Sequence, residues 1–530
     1  MIEETEVAGH AASARRRVRW PWRSQAGLTA LLAILFLTFL DNTVISAVLA
    51  NVQSELHSGV TQLQWVVGGY ALAFASLMLM CGALGDAYGR RKVMVIGVAV
   101  FCAGSIICAV APSSAVLIGG RMVMGAGAAA SEPGTLSMIR QIYPDARLRA
   151  RALGAWAAVS GLALAIGPVL GGVLTGIWSW RAIFWFNLLF GGIAFVVARA
   201  VLPESFDPRR ERPDYAGFLL GAFGLGAATF ATIAGETSGY RSSGILTLYG
   251  VSIVAIVAFF LVEARSSHPM LRVNFFARPA FTGSNFIAMA SYFSVLSIFF
   301  FVALYLEIVA SAGAYQLAQD FLPLLCAMVV ASVFSGRWVG AVGSRVPMMT
   351  GCVIAALGVF LTNVVVTPHA GLGTVGWTMG LAGIGFGILA VPVTSTALTS
   401  VPSRYSSMAA SMTNTSREFG AVAGVAILGS VVNGQLTVHL TQRLIQLGIP
   451  AAYRSEVITA VTTGSVAARL KGLGPTTAAV RAIINKVVEA AYQSFAHGLS
   501  LALDTATALL ALSAVVAYFT GTSGASDELM

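Results

Sequence analysis

Charge is what this sequence has least of. Asp, Glu, Lys and Arg make up only 10% of its 530 residues, while 57% are hydrophobic and the mean hydropathy is +0.81. Soluble domains carry roughly 25% charged residues. A chain with so few cannot cover a globular surface in water, whereas a surface facing lipid needs no such cover. Histidine is also scarce: the 6 present never fall at metal-ligand spacing, and residues such as His57, His369 and His497 read as lone interfacial side chains. No metal site is expected. The five cysteines, Cys81, Cys102, Cys108, Cys326 and Cys352, lie in or beside apolar runs and suggest neither a disulfide frame nor a metal motif. There is no Gly-x-x-x-x-Gly-Lys-Ser/Thr phosphate loop and no enzyme motif, so ATP-driven work by this chain alone has no support. A cleavable leader is not expected, because the polar, basic first 26 residues precede an apolar run long enough to stay as a span.

What the sequence has in abundance is apolar length. Crossing a bilayer takes about 20 apolar residues. Runs of that kind lie near 27–50, 63–84, 93–111, 115–138, 152–175, 182–202, 215–234, 243–262, 281–306, 314–336, 346–367, 373–398, 408–433 and 497–520, which makes fourteen. Gly, at 56 residues, lets such helices approach closely. The net charge of +10 is spread over short loops between the runs, so it reads as orientation charge and anionic-lipid contact, not nucleic-acid binding. With the N-terminus placed in the cytoplasm, the short outward loops keep only Arg181 and Arg241 while the inward segments hold 22 Lys and Arg; six more lie in the long outward segment 434–496, and long segments escape the rule. That asymmetry predicts a bacterial inner-membrane protein with both termini cytoplasmic. The expected organisation is a basic tail (1–26), a six-helix half (27–202), a two-helix insertion (203–280), a second six-helix half (281–520) and a short tail (521–530). Within the second half, 434–496 is expected to be an extracytoplasmic segment of amphipathic helix, broken by glycines and prolines, capping the outer mouth.

Several local patterns carry more than hydropathy. Between the second and third runs stands Gly82-Ala-Leu-Gly85-Asp86-Ala-Tyr-Gly89-Arg90-Arg91-Lys92. Its glycines permit a tight turn, and Asp86 is placed to accept charge-assisted hydrogen bonds. Arg121 lies inside the fourth run, where an arginine costs about 2.5–3.5 kcal/mol on insertion scales and needs a partner. The fifth run carries Gly154, Gly161, Gly167-Pro168 and Gly171-Gly172. Leu40-Asp41-Asn42-Thr43 sits in the first run, Trp180-Arg181 through Asn187 opens the sixth, and Asn414-Thr-Ser416-Arg417-Glu418-Phe-Gly420 lies in the thirteenth.

With fourteen runs, these patterns resemble the major facilitator superfamily, and within it the fourteen-helix drug:proton antiporters. The resemblance covers about residues 27–433. It departs at Ala50-Asn51, where proline is usual, at Ala163, where glycine is usual, and at Gly336 to Arg345, a second copy of the loop that has lost its Asp. The resemblance implies an all-α fold of two six-helix halves plus two extra central helices, rocking around a midplane site. It implies a conformational gate, a latch between helix bundles, for Gly82, Asp86, Gly89, Arg90 and Arg91. It links Arg121 to proton transfer, and it makes Gly154, Gly167, Pro168, Gly171 and Gly172 a mark of exporters.

The acids inside spans need explanation on energetic grounds alone. Asp41 lies deep in the first run, Glu132 three helical turns after Arg121 and on roughly the same face, and Glu418 beside Arg417. A carboxyl group stripped of water binds a proton near neutral pH, which a coupling site requires, and it also attracts cations. Asp41 is therefore the first candidate for coupling or substrate binding, followed by Glu132 and Glu418. A helix-to-helix hydrogen bond for Asp41 and a structural pair with Arg for Glu418 stay open. Glu307 and Asp320 read as outer-rim residues in water. Trp65, Tyr70, Phe74, Trp156, Tyr292, Phe293, Phe300 and Tyr305 could line a cavity by stacking on cations. The expectation is an exporter of amphiphilic, cationic compounds that acts as a monomer and uses the proton gradient with no cofactor. A dedicated exporter of one metabolite or lipid-like molecule, and a non-transporting sensor, are the alternatives.

Overall fold

The computed structural model describes residues 22–56, 58, 60–205, 214–266, 271–308, 314–366, 372–402, 405–447, 449–451, 454 and 478–521. The basic tail up to residue 21, the centre of the 434–496 segment and the tail beyond 521 lie outside them. Twelve of the described helices are long and apolar enough to cross a membrane on their own. Two bent pairs, Trp65–Met78 with Met80–Tyr88 (48°) and Arg151–Leu164 with Val169–Ile177 (44°), bring the spans to fourteen. We number them α1 (Trp22–Val44), α2 (Val60–Tyr88), α3 (Arg90–Ala109), α4 (Ser114–Ile142), α5 (Ala146–Ile177), α6 (Ala182–Val201), α7 (Tyr215–Ser238), α8 (Ser243–Arg265), α9 (Pro279–Ile308), α10 (Ala314–Val342), α11 (Arg345–Val365), α12 (Leu372–Thr399), α13 (Ser406–Gln446) and α14 (Ala478–Thr520). After α1 the chain tightens into a 3-10 turn, Ile45–Val48, and a short helix, Leu49–Leu56.

The packing repeats. α4 lies on α2 and α3, α5 and α6 on α1, and α6 on α3; the same pattern recurs eight helices later, with α12 on α10 and α11, α13 and α14 on α9, and α14 on α11. Two six-helix halves result, α1–α6 and α9–α14. Glycines set how tightly they close. A Cβ at Gly127 of α4 would strike the α3 backbone at Phe101 and Gly97, and one at Gly383 of α12 would strike the α10 backbone at Leu324. Bilayer helices lack a hydrophobic drive to associate, so such close approach supplies packing energy.

The halves meet along two seams, α2 with α13 and α5 with α10. The extra pair, α7 and α8, is not symmetric about them: α7 packs on both α2 and α13 and so covers the first seam. Trp22 and Gly521 lie at one end of the bundle, here the terminal end; Arg345 Nε donates to Gly521 O (3.0 Å) and Tyr143 Oη to Ser24 O (2.8 Å). At that end the apolar core is shared: Leu31, Met138 and Ile139 of one half join Leu398, Val401, Met408 and Ala409 of the other. At the distal end the cores are separate, one around Val66, Tyr70, Phe74 and Trp180, the other around Phe301, Tyr305, Phe321 and Leu499. Arg140 Nη1 adds a polar link at the terminal end, donating to Leu398 O (3.3 Å). The distal end of the first half is tied by Glu55, which accepts from Arg181 Nη1 and from Trp180 Nε1 (2.6 Å).

Helix continues further into 434–496 than hydropathy suggested. No glycine or proline interrupts 435–447, and Leu436, Leu440 and Leu444 keep one apolar face, so α13 runs unbroken to Gln446. Leu440 and Leu444 pack on Ala490 and Ala491 of α14, and the two helices leave the bundle side by side.

Candidate functional site

Two clusters of buried polar groups lie inside the bundle. The first joins α1, α2, α4 and α6. Asp41 and Arg121 are almost fully buried, and Arg121 Nη1 pairs with Asp41 Oδ2. Asn187 Nδ2 donates to Asp41 Oδ1 (2.7 Å), Arg121 Nε donates to Val66 O (3.0 Å), and the guanidinium sits 4.5 Å from the centre of the Tyr70 ring. Each oxygen of Asp41 therefore has a donor. Removing one partner of such a buried pair strands the other as an uncompensated charge. Sequence spacing had put Arg121 and Glu132 on one face; the partner of Arg121 is Asp41, 80 residues earlier. Asn187 had served only as part of a pattern, and only the fold reveals its bond to Asp41.

The second cluster stands where the halves meet. Glu132 of α4 is 1% exposed, and its Oε2 has no hydrogen-bond partner. Across from it, Arg417 of α13 donates from Nη1 to Asn414 Oδ1 (3.0 Å) and from Nη2 to Thr394 Oγ1 of α12 (2.5 Å). Its guanidinium lies 5.5 Å from the ring centres of both Trp156 (α5) and Tyr292 (α9), one ring from each half. Trp156 is itself oriented by Nε1 donating to Thr135 Oγ1 (3.1 Å). Glu418 is buried next to Arg417, yet among the described residues neither Glu132 nor Glu418 has a basic group within 4.0 Å. Adjacent residues on a helix point apart, which keeps Glu418 from closing on Arg417. Both glutamates and Arg417 still lie within electrostatic range of one another. The two charges of the first cluster are thus paired with each other, with only the Asn187 Oδ1 left without a partner among the described residues, whereas the second cluster holds unspent charge between two aromatic faces. Of the aromatic residues singled out in the sequence, Tyr70, Trp156 and Tyr292 reach these clusters, Trp65 packs against Phe230 with the rings tilted by 41°, and Phe300 is exposed.

The loop between α2 and α3 turns at Gly89, whose φ of +115° a side chain disfavours and where a Cβ would meet Glu204. Arg90 pairs with Asp86 (2.8 Å) and donates from Nη1 to Ser205 Oγ (3.2 Å) and from its backbone N to Ser205 O (2.7 Å). Arg91 donates from its backbone N to Glu204 Oε1 (3.1 Å) and from Nη1 to Leu202 O (3.2 Å). These described contacts of Arg90 and Arg91 hold the segment after α6, within the same half. Gly82 is buried within α2, just before the turn.

In α5 the glycines face other helices. Gly154 and Gly161 lie against Ser332, Met328 and Val329 of α10, and a Cβ at Gly167 would strike Thr43 and Val44 of α1. Gly171 is buried, and Gly172 has open space around it. Pro168 marks the 44° bend. It has no N–H for the carbonyl four residues back, Leu164 O, and Thr43 Oγ1 donates to that carbonyl instead (3.1 Å). Asp320, expected at a wet rim, is buried, and its Oδ2 has no hydrogen-bond partner among the described residues; Glu307 lies at the end of α9 with its side chain outside what is described.

The sequence model of the Major Facilitator Superfamily matches residues 31–208 and 189–425. The multidrug resistance protein Stp of Mycobacterium tuberculosis is 31% identical over 481 residues, covering 90% of this chain and 88% of that one. The methylenomycin A resistance protein of Streptomyces coelicolor is 31% identical over 77% of this chain and 85% of its own length. The tetracenomycin C resistance and export protein of Streptomyces glaucescens is 25% identical over 98% and 94%. Among solved structures, the human organic anion transporter MFSD10 (TETRAN) superposes with a TM-score of 0.60 at 12% identity, covering 93% of this chain and 99% of that one. A bacterial homolog of the human lysosomal transporter Spinster gives 0.59 at 18% identity, covering 96% and 100%. These two likenesses concern the fold alone.

Proposed function

From the premise that this chain belongs to the Major Facilitator Superfamily, we propose that it exports amphiphilic, cationic drugs or toxic compounds in exchange for protons. The observation that carries the reading is Glu132: a buried carboxyl at the junction of the halves, with an oxygen no protein group satisfies, facing an arginine held between two aromatic rings. An unpaired acid there can hold either a proton or a substrate cation, and the rings offer the flat apolar body of an amphiphile a face to stack on. Glu418 is its companion acid. Asp41, the first candidate on sequence grounds, serves instead as the counter-charge that holds Arg121, which fits the helix-to-helix alternative. The relatives named for multidrug, methylenomycin A and tetracenomycin C resistance support drugs as cargo.

The terminal end is assigned to the cytoplasm on the asymmetry of Lys and Arg among short loops. The shared core at that end then makes this conformation closed to the cytoplasm. Protons arriving from the distal side would protonate Glu132, discharge its attraction for the cation and free the cargo outward; rocking of the halves would return the acid to the cytoplasmic side to lose its proton. No cofactor enters this cycle. The test is substrate-triggered proton movement in everted vesicles carrying the native chain or Glu132→Gln, with a panel of lipophilic cations. The native chain is expected to discharge the pH gradient and the variant to leave it intact. Equal discharge by both would remove Glu132 from the cycle, and none by the native chain would remove proton exchange.

A further inference from the structure

His439 and His497 stand 58 positions apart in the sequence, and nothing in their spacing pairs them. The fold does. His439 lies on α13 and His497 on α14, where the two helices run antiparallel near the distal end of the bundle, and their imidazole ring centres are 4.4 Å apart at an interplanar angle of 69°. His497 is exposed and His439 partly so. Among the described residues neither ring makes a hydrogen bond, so both sets of ring nitrogens remain free to bind.

We propose that His439 and His497 form a two-imidazole site for a divalent transition-metal ion such as Zn²⁺, Cu²⁺ or Ni²⁺. Imidazole nitrogen suits these ions, whereas Mg²⁺ and Ca²⁺ demand oxygen ligands. Zinc–nitrogen bonds of about 2.0–2.1 Å at a tetrahedral angle put the two nitrogens about 3.3 Å apart. Turning a ring about its Cβ–Cγ bond leaves its centre in place, and centres 4.4 Å apart suit two nitrogens on adjacent corners of a tetragonal Cu²⁺ or Ni²⁺ ion; closing on tetrahedral Zn²⁺ takes a further turn about Cα–Cβ, with no movement of either helix. Bracing of the backbone is already present: Leu440 packs on Ala490 and Ala491 one side of the pair, and on the other a Cβ at Gly498 would meet the α13 backbone at Val432. The ligands are therefore pre-positioned by two helices in contact. Water completes the coordination. Gln493, one turn from His497 and bonded to Glu489 Oε1 (3.0 Å), is placed to orient that water from the same face. The site lies at the distal end, away from Glu132 and Arg417, and does not depend on the exchange reading.

The test uses the full chain in detergent, purified through a tag without histidine and titrated with Cu²⁺. The native chain is expected to bind one high-affinity Cu²⁺ whose electron paramagnetic resonance carries the hyperfine pattern of two imidazole nitrogens, and Zn²⁺ but not Mg²⁺ should displace it. Losing an outer-shell partner alone weakens metal affinity roughly 10–100-fold, so His439→Ala and His497→Ala should each weaken binding at least that much and leave a one-nitrogen signal. His497→Gln, which preserves size and polarity, should do the same at unchanged thermal stability without metal. A two-nitrogen signal that survives in these variants, or the absence of saturable binding by the native chain, would overturn the proposal.

Discussion

Asp41 and Glu132 are both acids buried among helices, and they differ in what surrounds them. Asp41 takes an arginine on one oxygen and an asparagine on the other, all within one half. Glu132 stands on the same helix as that arginine yet faces the opposite half, and one of its oxygens has nothing. Burial alone does not distinguish the two, since both are almost fully enclosed. What separates them is whether the local donors are already spent. A saturated acid is a fastener, and an unsaturated one at a moving boundary is free to trade partners.

The contrast can be broken by exchanging each acid for its amide. The largest effect is expected at Glu132→Gln: cation-driven proton movement falls to the background of empty vesicles, while thermal stability is unchanged or improved, because an unpartnered acid has been removed. Asp41→Asn should do the reverse. It strands Arg121, and breaking a buried pair from one side costs roughly 3–5 kcal/mol; the chain should lose stability in detergent, and a second change, Arg121→Met, should recover much of it. If Asp41→Asn were as stable as the native chain and equally dead in transport, the distinction between fastener and trader would collapse.

A smaller effect sharpens the comparison next to Asp41. Thr43→Val leaves the Leu164 carbonyl without a donor, at a cost of roughly 1–3 kcal/mol. Once Pro168→Ala restores an N–H to α5, that cost should shrink, which a double-mutant cycle of unfolding free energies measures. The smallest effect belongs to Glu55, half exposed at the distal end. The hydrogen bond from Arg181, against some opposition from burial and with help from Trp180, holds its carboxyl below the usual 4.5. A depressed acid contributes stability that is present above its ordinary pKa and is lost as pH falls through the lowered one. Glu55→Gln should therefore flatten the acid side of a stability-against-pH curve slightly, since exposed pairs contribute little.

Much of this architecture is legible in the sequence because the bilayer imposes a length and a polarity on every span. The fourteen runs correspond to fourteen spans, and the bend in α5 falls at Gly167-Pro168. What could not be read is which side chains meet. Asp41 and Arg121, Thr43 and Leu164, His439 and His497 are joined by helices whose mutual rotation hydropathy leaves undetermined. The spacing of Arg121 and Glu132 was misleading for a related reason: three turns bring both to one side of α4, but the helix is long enough for one to face its own half and the other the seam. Hydropathy also understated α13 and α14, since a helix with one apolar face continues past the lipid without an apolar average.

That continuation has a mechanical side. From Phe495, stacked on Tyr305 near the end of α9, α14 still extends to Ala478, about 25 Å at 1.5 Å per residue. Braced by α13 over part of that length, it is a lever arm rooted in one half only. A tilt of that half by about 10° would swing the tip by roughly 4 Å, while the short helix Leu49–Leu56 moves with the other half. A pair of spin labels, one near Ala478 and one on that short helix, would magnify angular change inside the membrane into a distance read in water.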